Sequence, residues 1–243
     1  MLIIGVIPAR FASVRFRGKP LAPLAGRPMV VHVLRAARAA RRLSRVVVAT
    51  DDPRIAEAVE KDGGEALLTS AQAASGTDRV AEVAGRLPAD AYVNVQGDEP
   101  LMPPENVDRV VDVLLADEAR PIATLAFPIS AGAAADPNVV KVAVARDKRA
   151  LYFSRSPIPH FRNGEPAYLK HLGIYAYRAK ALSEIAGLPP SPLERAESLE
   201  QLRWLEAGYT IHVGEAAGDS IGVDTPEDLA AAEAQLIKQE VSP

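Results

Sequence analysis

The chain has 243 residues, of which 48% are hydrophobic and 24% are charged, and its formal net charge is −3. These values are ordinary for a soluble globular protein, and the negative charge argues against a general attraction to nucleic acid. Because the chain has no cysteine, disulfides, thiolate metal sites and a cysteine nucleophile are excluded, which is compatible with a cytoplasmic location.

The N-terminal half alternates the signals of strands and helices. Residues 2–7 are a short apolar run followed by Pro8, which predicts a strand. They lack the features of a signal peptide, and no run has the roughly 20 apolar residues of a membrane span. Further strands are predicted at residues 45–50, 66–69 and 91–95. Helices are predicted after Pro28, from Pro53 to about Lys61, from a cap at Thr77 or Asp78 to Arg86, and at residues 104–115. This repeat predicts a mostly parallel, doubly wound α/β sheet.

The rhythm changes in the second half of the chain. Strands are predicted at residues 122–127, 139–145 and 169–177, without long helices between them. A helix at 191–206, a strand at 210–213 and a closing helix at 226–238, capped by Asp224 or Thr225, follow. Residues 130–135 are expected to form a surface loop. We therefore predict a single domain over residues 1–243, with a small mixed-β lobe at about 121–190.

The loop after the first predicted strand, residues 8–20, concentrates positive charge. It contains Arg10, Arg15, Arg17 and Lys19. Ligands of open parallel sheets bind beyond the carboxyl ends of the strands, and guanidinium and ammonium groups suit phosphate oxygens. The loop has neither the P-loop pattern nor the dinucleotide-binding glycine fingerprint. It therefore indicates phosphate binding by side chains; the alternative is a solvated basic loop.

Three other segments carry candidate groups. The string SGTDR at residues 75–79 lets the backbone approach a planar base closely, or is only a helix N-cap. Asp98 follows the fourth predicted strand, where a carboxylate can bind Mg²⁺. Asp224, in the string GVDTPED at residues 222–228, is a second carboxylate, for which a helix N-cap is the simplest interpretation.

These strings resemble the motifs of the 3-deoxy-manno-octulosonate (Kdo) cytidylyltransferase family. Residues 7–21 are similar to the opening motif of enzymes that make CMP-sugars, with Arg17 in place of the usual Pro. SGTDR, NVQGDEP at 94–100 and GVDTPED also match, as do ALYFSRSPIP at 150–159, HLGIY at 171–175 and LEQLR at 199–203. The resemblance runs from residue 7 to about 229 and implies a nucleotide-diphospho-sugar transferase-like fold.

The resemblance implies a nucleotidyltransferase that joins CTP and Kdo to give CMP-Kdo and pyrophosphate, for lipopolysaccharide biosynthesis. It implies Mg²⁺ as cofactor and a homodimer, with the mixed-β lobe serving sugar binding and dimerisation. Two alternatives remain open: another acidic sugar as acceptor, such as sialic acid or an 8-amino Kdo analogue, and a non-catalytic nucleotide-sugar-binding protein. A nicotinamide oxidoreductase is disfavoured by the missing glycine fingerprint.

Residue roles follow from the same resemblance. The catalytic residues would be Arg10, Arg15, Lys19 and Asp98. The nucleotide would contact Pro8, Ala9, Arg10, Lys19, Ser75, Gly76 and Arg79. Asp98 and Asp224 would bind Mg²⁺, which lowers the pKa of the sugar hydroxyl and makes a dedicated side-chain base unnecessary. The sugar would contact Gln96, Arg155, His171, Tyr175, Glu200 and Gln201. His171 and Tyr175 are expected on one face of one strand.

Overall fold

The computed structural model describes residues 1–12, 16–73, 75–164 and 166–241, and it divides the chain into two compact units. The first unit comprises residues 1–108 and 219–243, and the second comprises residues 109–218. The mixed-β lobe expected at about 121–190 lies within the second unit, while its functional role stays a prediction.

The first unit follows the predicted alternation of strands and helices. Its elements are β1 (Ile3–Ala9), a 3₁₀ turn (Lys19–Leu21), the short hairpin strands β2 (Pro23–Leu24) and β3 (Arg27–Pro28), α1 (Met29–Ala39), β4 (Arg45–Thr50), α2 (Pro53–Lys61), β5 (Ala66–Leu68), α3 (Gly76–Arg86), β6 (Ala91–Asn94) and α4 (Pro104–Leu115), which runs on into the second unit. The strands lie in the order β6-β1-β4-β5, and all pair in parallel.

Local signals explain most of these elements. β1 and β4 are apolar and almost wholly buried, as expected for parallel strands covered on both faces. In α1 the apolar residues recur at helical spacing and point inward. Asp52 caps α2 by accepting a hydrogen bond from the Arg54 N–H at 2.9 Å, with Pro53 in the first turn.

The cap of α3 differs from the sequence prediction. Ser75, and not Thr77 or Asp78, is the N-cap: its hydroxyl accepts from the Asp78 N–H at 3.2 Å, and the Asp78 carboxylate accepts from the Ser75 N–H at 3.0 Å. The helix cap therefore lies two or three residues earlier than expected, because Ser75 and Asp78 form a reciprocal capping box.

The second unit contains a mixed sheet. Its elements after α4 are β7 (Ile122–Ile129), α5 (Ala131–Ala134), β8 (Lys141–Val144), β9 (Ala150–Ser154), β10 (Tyr168–Arg178), α6 (Ala179–Ile185), α7 (Pro192–Glu197), α8 (Gln201–Glu206) and β11 (Ile211–Glu215). β10 is antiparallel to β7 and to β8, β8 is antiparallel to β9, and β11 is parallel to β7. The predicted fold class, a mostly parallel α/β sheet with a mixed-β part, is confirmed.

Two predictions for this unit were wrong. The helix expected at 191–206 is two helices, α7 and α8, because Ser198 adopts the left-handed conformation with φ 52°, which ends a right-handed helix. The expected loop at 130–135 contains α5, whose cap is the Ser130 hydroxyl. The patterns also did not identify β9 or α6.

The chain then returns to the first unit as α9 (Pro226–Val241). Thr225 caps this helix: its hydroxyl accepts from the Asp228 N–H at 3.2 Å, and the Asp228 carboxylate accepts from the N–H groups of Thr225 and Asp224, each at 2.9 Å. Of the two expected caps, Thr225 is therefore the correct one. None of the helices in the described part of the chain is long and apolar enough to span a membrane.

Candidate active site

A cleft of about 290 Å³ lies at the carboxyl ends of β1 and β6. The chain continues from β1 to β4 and β5 on one side and then returns to β6 on the other, so this is the point where the strand order reverses, the usual ligand site of such sheets. The predicted site residues that line the cleft are Pro8, Ala9, Arg10, Lys19, Ser75, Gly76, Arg79, Gln96, Asp98 and Asp224. Residues that lie up to 216 positions apart in the chain thus share one cavity.

Gly97 sets the width of this cleft. A Cβ atom at position 97 would lie 2.2 Å from the Pro8 carbonyl oxygen. Only glycine allows the turn after β6 to approach the end of β1 so closely. The short QGD segment therefore brings Gln96 and Asp98 against the residues that follow β1.

Lys19 lies at the centre of the charged groups. Its ammonium donates to the Asp98 carboxylate at 2.9 Å, to the Asp224 carboxylate at 3.3 Å and to the Val223 carbonyl at 2.7 Å. The Lys19 side chain is only 11% exposed, whereas those of Asp98 and Asp224 are 36% and 41% exposed. Gly18, at φ 75°, makes the left-handed turn that directs the chain into the 3₁₀ turn. The ammonium therefore holds two solvent-accessible carboxylates side by side.

The packing of α9 determines the position of Asp224. Val223 is buried with Leu24, Met29 and Ala232, and its N–H donates to the Asp98 carbonyl at 2.8 Å. The Glu233 carboxylate accepts from the Ala25 N–H at 2.9 Å and so ties the same helix to the β2–β3 hairpin. Asp224 does not cap the helix; its carboxylate lines the cleft and accepts from Lys19.

Asp51 is a site residue that sequence reasoning missed. Its carboxylate pairs with the Arg79 guanidinium at 2.8 Å and accepts from the Phe11 N–H at 3.2 Å. Arg79 is 3% exposed, and it also donates to the Thr69 hydroxyl at 2.7 Å and the Ser70 carbonyl at 3.1 Å. Asp51 directly precedes Asp52, the cap of α2, so its position in the sequence indicates no more than a helix start. Arg79 thus lines the cleft while also holding its walls together; its contact with a nucleotide stays a prediction.

The basic loop contributes unevenly to the site. Arg10 is exposed at the cleft, and Arg15 lies outside the described residues. Arg17 is exposed, with its guanidinium carbon 5.9 Å from the centre of the Phe11 ring, and Arg54 stacks on the same ring at 3.8 Å. A guanidinium over an aromatic face is an attractive arrangement. Phe11 therefore packs against two cations, and it is further held by the Gly18 N–H, which donates to its carbonyl at 3.0 Å.

The other predicted sugar residues lie in the second unit. His171 and Tyr175 are both on β10, with ring centres 5.3 Å apart, and the Tyr175 ring packs edge-on against Trp204 of α8. Burial lowers the pKa of His171 to about 3 and, with smaller effects of Tyr177 and Glu200, raises that of Tyr175. Both side chains are therefore uncharged at neutral pH. The Tyr175 hydroxyl is buried, with no hydrogen-bond partner among the described residues.

Arg155 is fixed by hydrogen bonds within the second unit. Its guanidinium donates to the carbonyls of Glu197 at 2.8 Å and Pro137 at 3.0 Å, and the Glu197 carboxylate accepts from its backbone N–H at 2.9 Å. The buried Lys141 ammonium donates to the Arg155 carbonyl and to the Val139 carbonyl. Arg155 is thus held in place, with part of its donor capacity committed to the protein.

Glu200 and Gln201 stand at the start of α8. Glu200 is half-buried and occupies the N-cap position, while Gln201 is buried in the first turn. Trp204, one turn further along, contacts Tyr175. The structure therefore brings α8 against the part of β10 that carries His171 and Tyr175.

The donor chemistry of the cleft fits Mg²⁺. Among the described residues, no group of three or more His, Cys, Asp or Glu side chains forms a complete metal cage. Mg²⁺, however, usually binds through one or two carboxylates, and substrate phosphates and water complete its shell. Asp98 and Asp224, half-exposed and adjacent in a cleft with cationic walls, are such a pair.

Sequence comparisons match this chain to cytidylyltransferases. A family model described as cytidylyltransferase matches residues 4–211. A 3-deoxy-manno-octulosonate cytidylyltransferase of Syntrophobacter fumaroxidans is 54% identical, covering 95% of each chain, and one of Escherichia coli is 49% identical, covering 98% of this chain and 96% of the other.

Solved structures give the same result. The structure of a CMP:2-keto-3-deoxy-manno-octonic acid synthetase complexed with CTP matches with a TM-score of 0.95 and 47% identity, over 99% of this chain and 100% of the other. A cytidylyltransferase from Leptospira borgpetersenii shares the fold at a TM-score of 0.64 and 17% identity, over 99% of this chain and 95% of the other.

Proposed function

The chain belongs to the 3-deoxy-manno-octulosonate cytidylyltransferase family, and we propose that it transfers the CMP group of CTP to Kdo and releases pyrophosphate. The observation that carries this proposal is the cleft at the reversal of strand order, where Lys19 joins Asp98 and Asp224. Two carboxylates, a buried ammonium and an exposed arginine in one cavity are suited to a nucleoside triphosphate with its metal ion. The product would serve lipopolysaccharide biosynthesis.

The first unit would bind CTP. Gly76 is the first residue of α3 and lines the cleft, so the positive end of that helix would favour an anionic ligand there. Arg10 and Lys19 would bind the phosphates, while Pro8, Ala9, Ser75 and Gly76 would surround the nucleoside. Arg79 would act at the wall of this pocket through its bonds to Asp51 and Ser70.

Asp98 and Asp224 would hold Mg²⁺. The ion would neutralise phosphate charge and lower the pKa of a hydroxyl bound to it. Lys19 holds both carboxylates, and the Val223 N–H holds the backbone of Asp98, so little reorganisation is needed when the metal and substrate bind.

The second unit would bind the acidic sugar. Its carboxylate and hydroxyls would contact Arg155, His171, Tyr175, Glu200 and Gln201. The anomeric hydroxyl attacks the α-phosphorus of CTP: a new oxygen–phosphorus bond forms, the bond to pyrophosphate breaks, and the hydroxyl proton is released. Catalysis is then largely a matter of position and charge neutralisation.

Pyrophosphate release tests the proposal. The enzyme is incubated with CTP, Mg²⁺ and Kdo. Parallel reactions replace Kdo by sialic acid or an 8-amino Kdo analogue, or replace CTP by ATP, GTP or UTP. We expect release with CTP and Kdo. Release only with another acidic sugar would retain the reaction and change the acceptor, and CTP binding without release under any condition would favour a non-catalytic binding protein.

The family also leads us to propose a homodimer in the cytoplasm. The mass of the protein in solution, measured by light scattering, tests the oligomeric state: about twice the 25.8 kDa of the chain is expected. A monomer at working concentrations would contradict it.

A further inference from the structure

Thr124 is a fully buried threonine on β7 whose hydroxyl reaches three groups of β10. Its oxygen lies 2.8 Å from the Ile174 carbonyl oxygen, 3.2 Å from the Leu172 carbonyl oxygen and 3.1 Å from Nε2 of His171. A threonine hydroxyl has one hydrogen to donate and two lone pairs that accept. The group to which Thr124 donates this hydrogen determines whether Nε2 of His171 is protonated.

An irregularity in β10 brings these groups together. Leu172 is opposite Leu125 and Tyr175 is opposite Thr124, so three steps along β10 match one step along β7. Such bulges bend a strand and redirect its side chains. Here two carbonyls turn toward one hydroxyl, and the His171 and Tyr175 rings come into contact although they are four residues apart.

The hydroxyl hydrogen must point to a carbonyl. Carbonyl oxygens only accept, and an oxygen–oxygen distance of 2.8 Å without a hydrogen between the atoms would set lone pair against lone pair. Once the Thr124 hydrogen is directed to Ile174, the hydroxyl oxygen can only accept from His171. Nε2 of His171 therefore carries a hydrogen.

We propose that Thr124 is a positioning residue that holds His171 in the neutral tautomer protonated at Nε2, so that Nδ1 is a bare acceptor that binds a hydroxyl of the sugar and not its carboxylate. Nδ1 has no hydrogen-bond partner in the part of the chain that the structure describes, and the residue is largely buried but keeps some exposed surface. The Phe153 ring, edge-on at 4.9 Å, and the Tyr175 ring fix the imidazole plane. The choice of a sugar hydroxyl as ligand rests on the proposed function; the tautomer does not.

Burial supports the neutral form. It lowers the pKa of His171 to about 3, so the imidazole does not gain a second proton at neutral pH. A neutral ring with a lone pair at Nδ1 repels a carboxylate and accepts from O–H groups. The negative charge of the acidic sugar must then be bound elsewhere, by cations such as Arg155.

Nitrogen NMR of the imidazoles in the full-length protein tests the tautomer directly. His171 should show a protonated Nε2 and a bare Nδ1, assigned with the His171→Asn variant. His32 is an internal reference, because its Nε2 lies 2.7 Å from the Leu24 carbonyl and must also carry hydrogen. A hydrogen on Nδ1 of His171 in the unaltered protein would overturn the proposal, whether or not the protein transfers CMP.

Two variants of Thr124 extend the test. Thr124→Val keeps the shape and removes the hydroxyl, and it should produce a mixture of His171 tautomers; Thr124→Ser keeps the hydroxyl and should retain the single tautomer. With CTP and Kdo, Thr124→Val should raise KM for the sugar about tenfold, with KM for CTP unchanged, and Thr124→Ser should restore it. An unchanged tautomer in Thr124→Val, or equal effects on both KM values, would contradict the role assigned to Thr124.

Discussion

Replacing Gly97 by alanine tests whether the close approach of β1 and β6 is needed for catalysis. The added Cβ would lie 2.2 Å from the Pro8 carbonyl oxygen, whereas Cβ atoms essentially never come within 3.0 Å of another heavy atom. The ends of the two strands must then separate by at least 3.0 − 2.2 = 0.8 Å. Backbone lies on both sides of this contact, so no flexible side chain can yield instead.

This displacement should affect activity more than stability. A shift of about 1 Å in groups that position the reacting atoms can lower the rate about 10²-fold, and overpacking of this kind costs about 1–3 kcal/mol. We therefore expect kcat/KM for CTP to fall about 100-fold in Gly97→Ala, while thermal unfolding stays cooperative at a moderately lower temperature.

Pyrophosphate release and thermal unfolding are measured on the same preparations. Gly85→Ala is the matched control: it lies within α3, no atom lies within 4 Å of its added Cβ, and alanine should stabilise the helix by about 0.5–1 kcal/mol without loss of activity. If Gly97→Ala folds and keeps the wild-type kcat/KM, the inference that this approach sets the geometry of the cleft is wrong.

Four further predictions follow from the contacts described above. Gly76→Ala should fold, because the nearest protein atoms to the new Cβ lie at 3.4 and 3.5 Å, but it should raise KM for CTP; an unchanged KM would show that no part of the nucleotide approaches this residue. Asp98→Asn and Asp224→Asn should each lower kcat by about 10²–10³-fold at saturating Mg²⁺, and near-normal turnover would refute the metal assignment. Asp51→Asn leaves the buried Arg79 without its carboxylate and should cost about 3–5 kcal/mol in chemical denaturation, whereas Asp147→Asn, in an exposed pair with Arg149, should cost about 1 kcal/mol or less. The pKa of His171 is lower in the folded than in the unfolded chain, so only the unfolded state binds the extra proton between pH 6.5 and about 3. The free energy of unfolding should therefore fall as the pH falls through that window. His171→Asn should lessen this acid sensitivity, and identical profiles of stability against pH for the two proteins would contradict the burial of a neutral imidazole.

Local signals predicted the elements whose boundaries depend on neighbouring residues. The strand at residues 45–50 and the helix at 104–115 have the predicted bounds, because apolar runs and a proline in the first turn act over a few residues. The break at Ser198 was not predictable in this way. The sequence pattern of residues 191–206 predicts one helix. In the structure α7 ends at Ser198, and α8 begins after its own N-cap, Glu200.

The site depends more on distant contacts. The motifs located the residues of the cleft, but Asp51 was overlooked because its partners, Arg79 and Phe11, lie 28 and 40 positions away. Spacing placed His171 and Tyr175 on one face of a strand. The irregular register with β7, which no periodicity in the sequence reports, then brings their rings to 5.3 Å.

The bond between Lys19 and Asp224 joins positions 205 residues apart. During synthesis, β1, β4, β5 and β6 are all complete before Asp224 has been added to the chain. A nascent chain therefore contains the residues of the parallel sheet and of the Lys19–Asp98 pair long before it contains both carboxylates. The segment that leads into α9 thus adds Asp224 to Lys19 and Asp98 only after the second unit, which lies between them in the chain, has also been made.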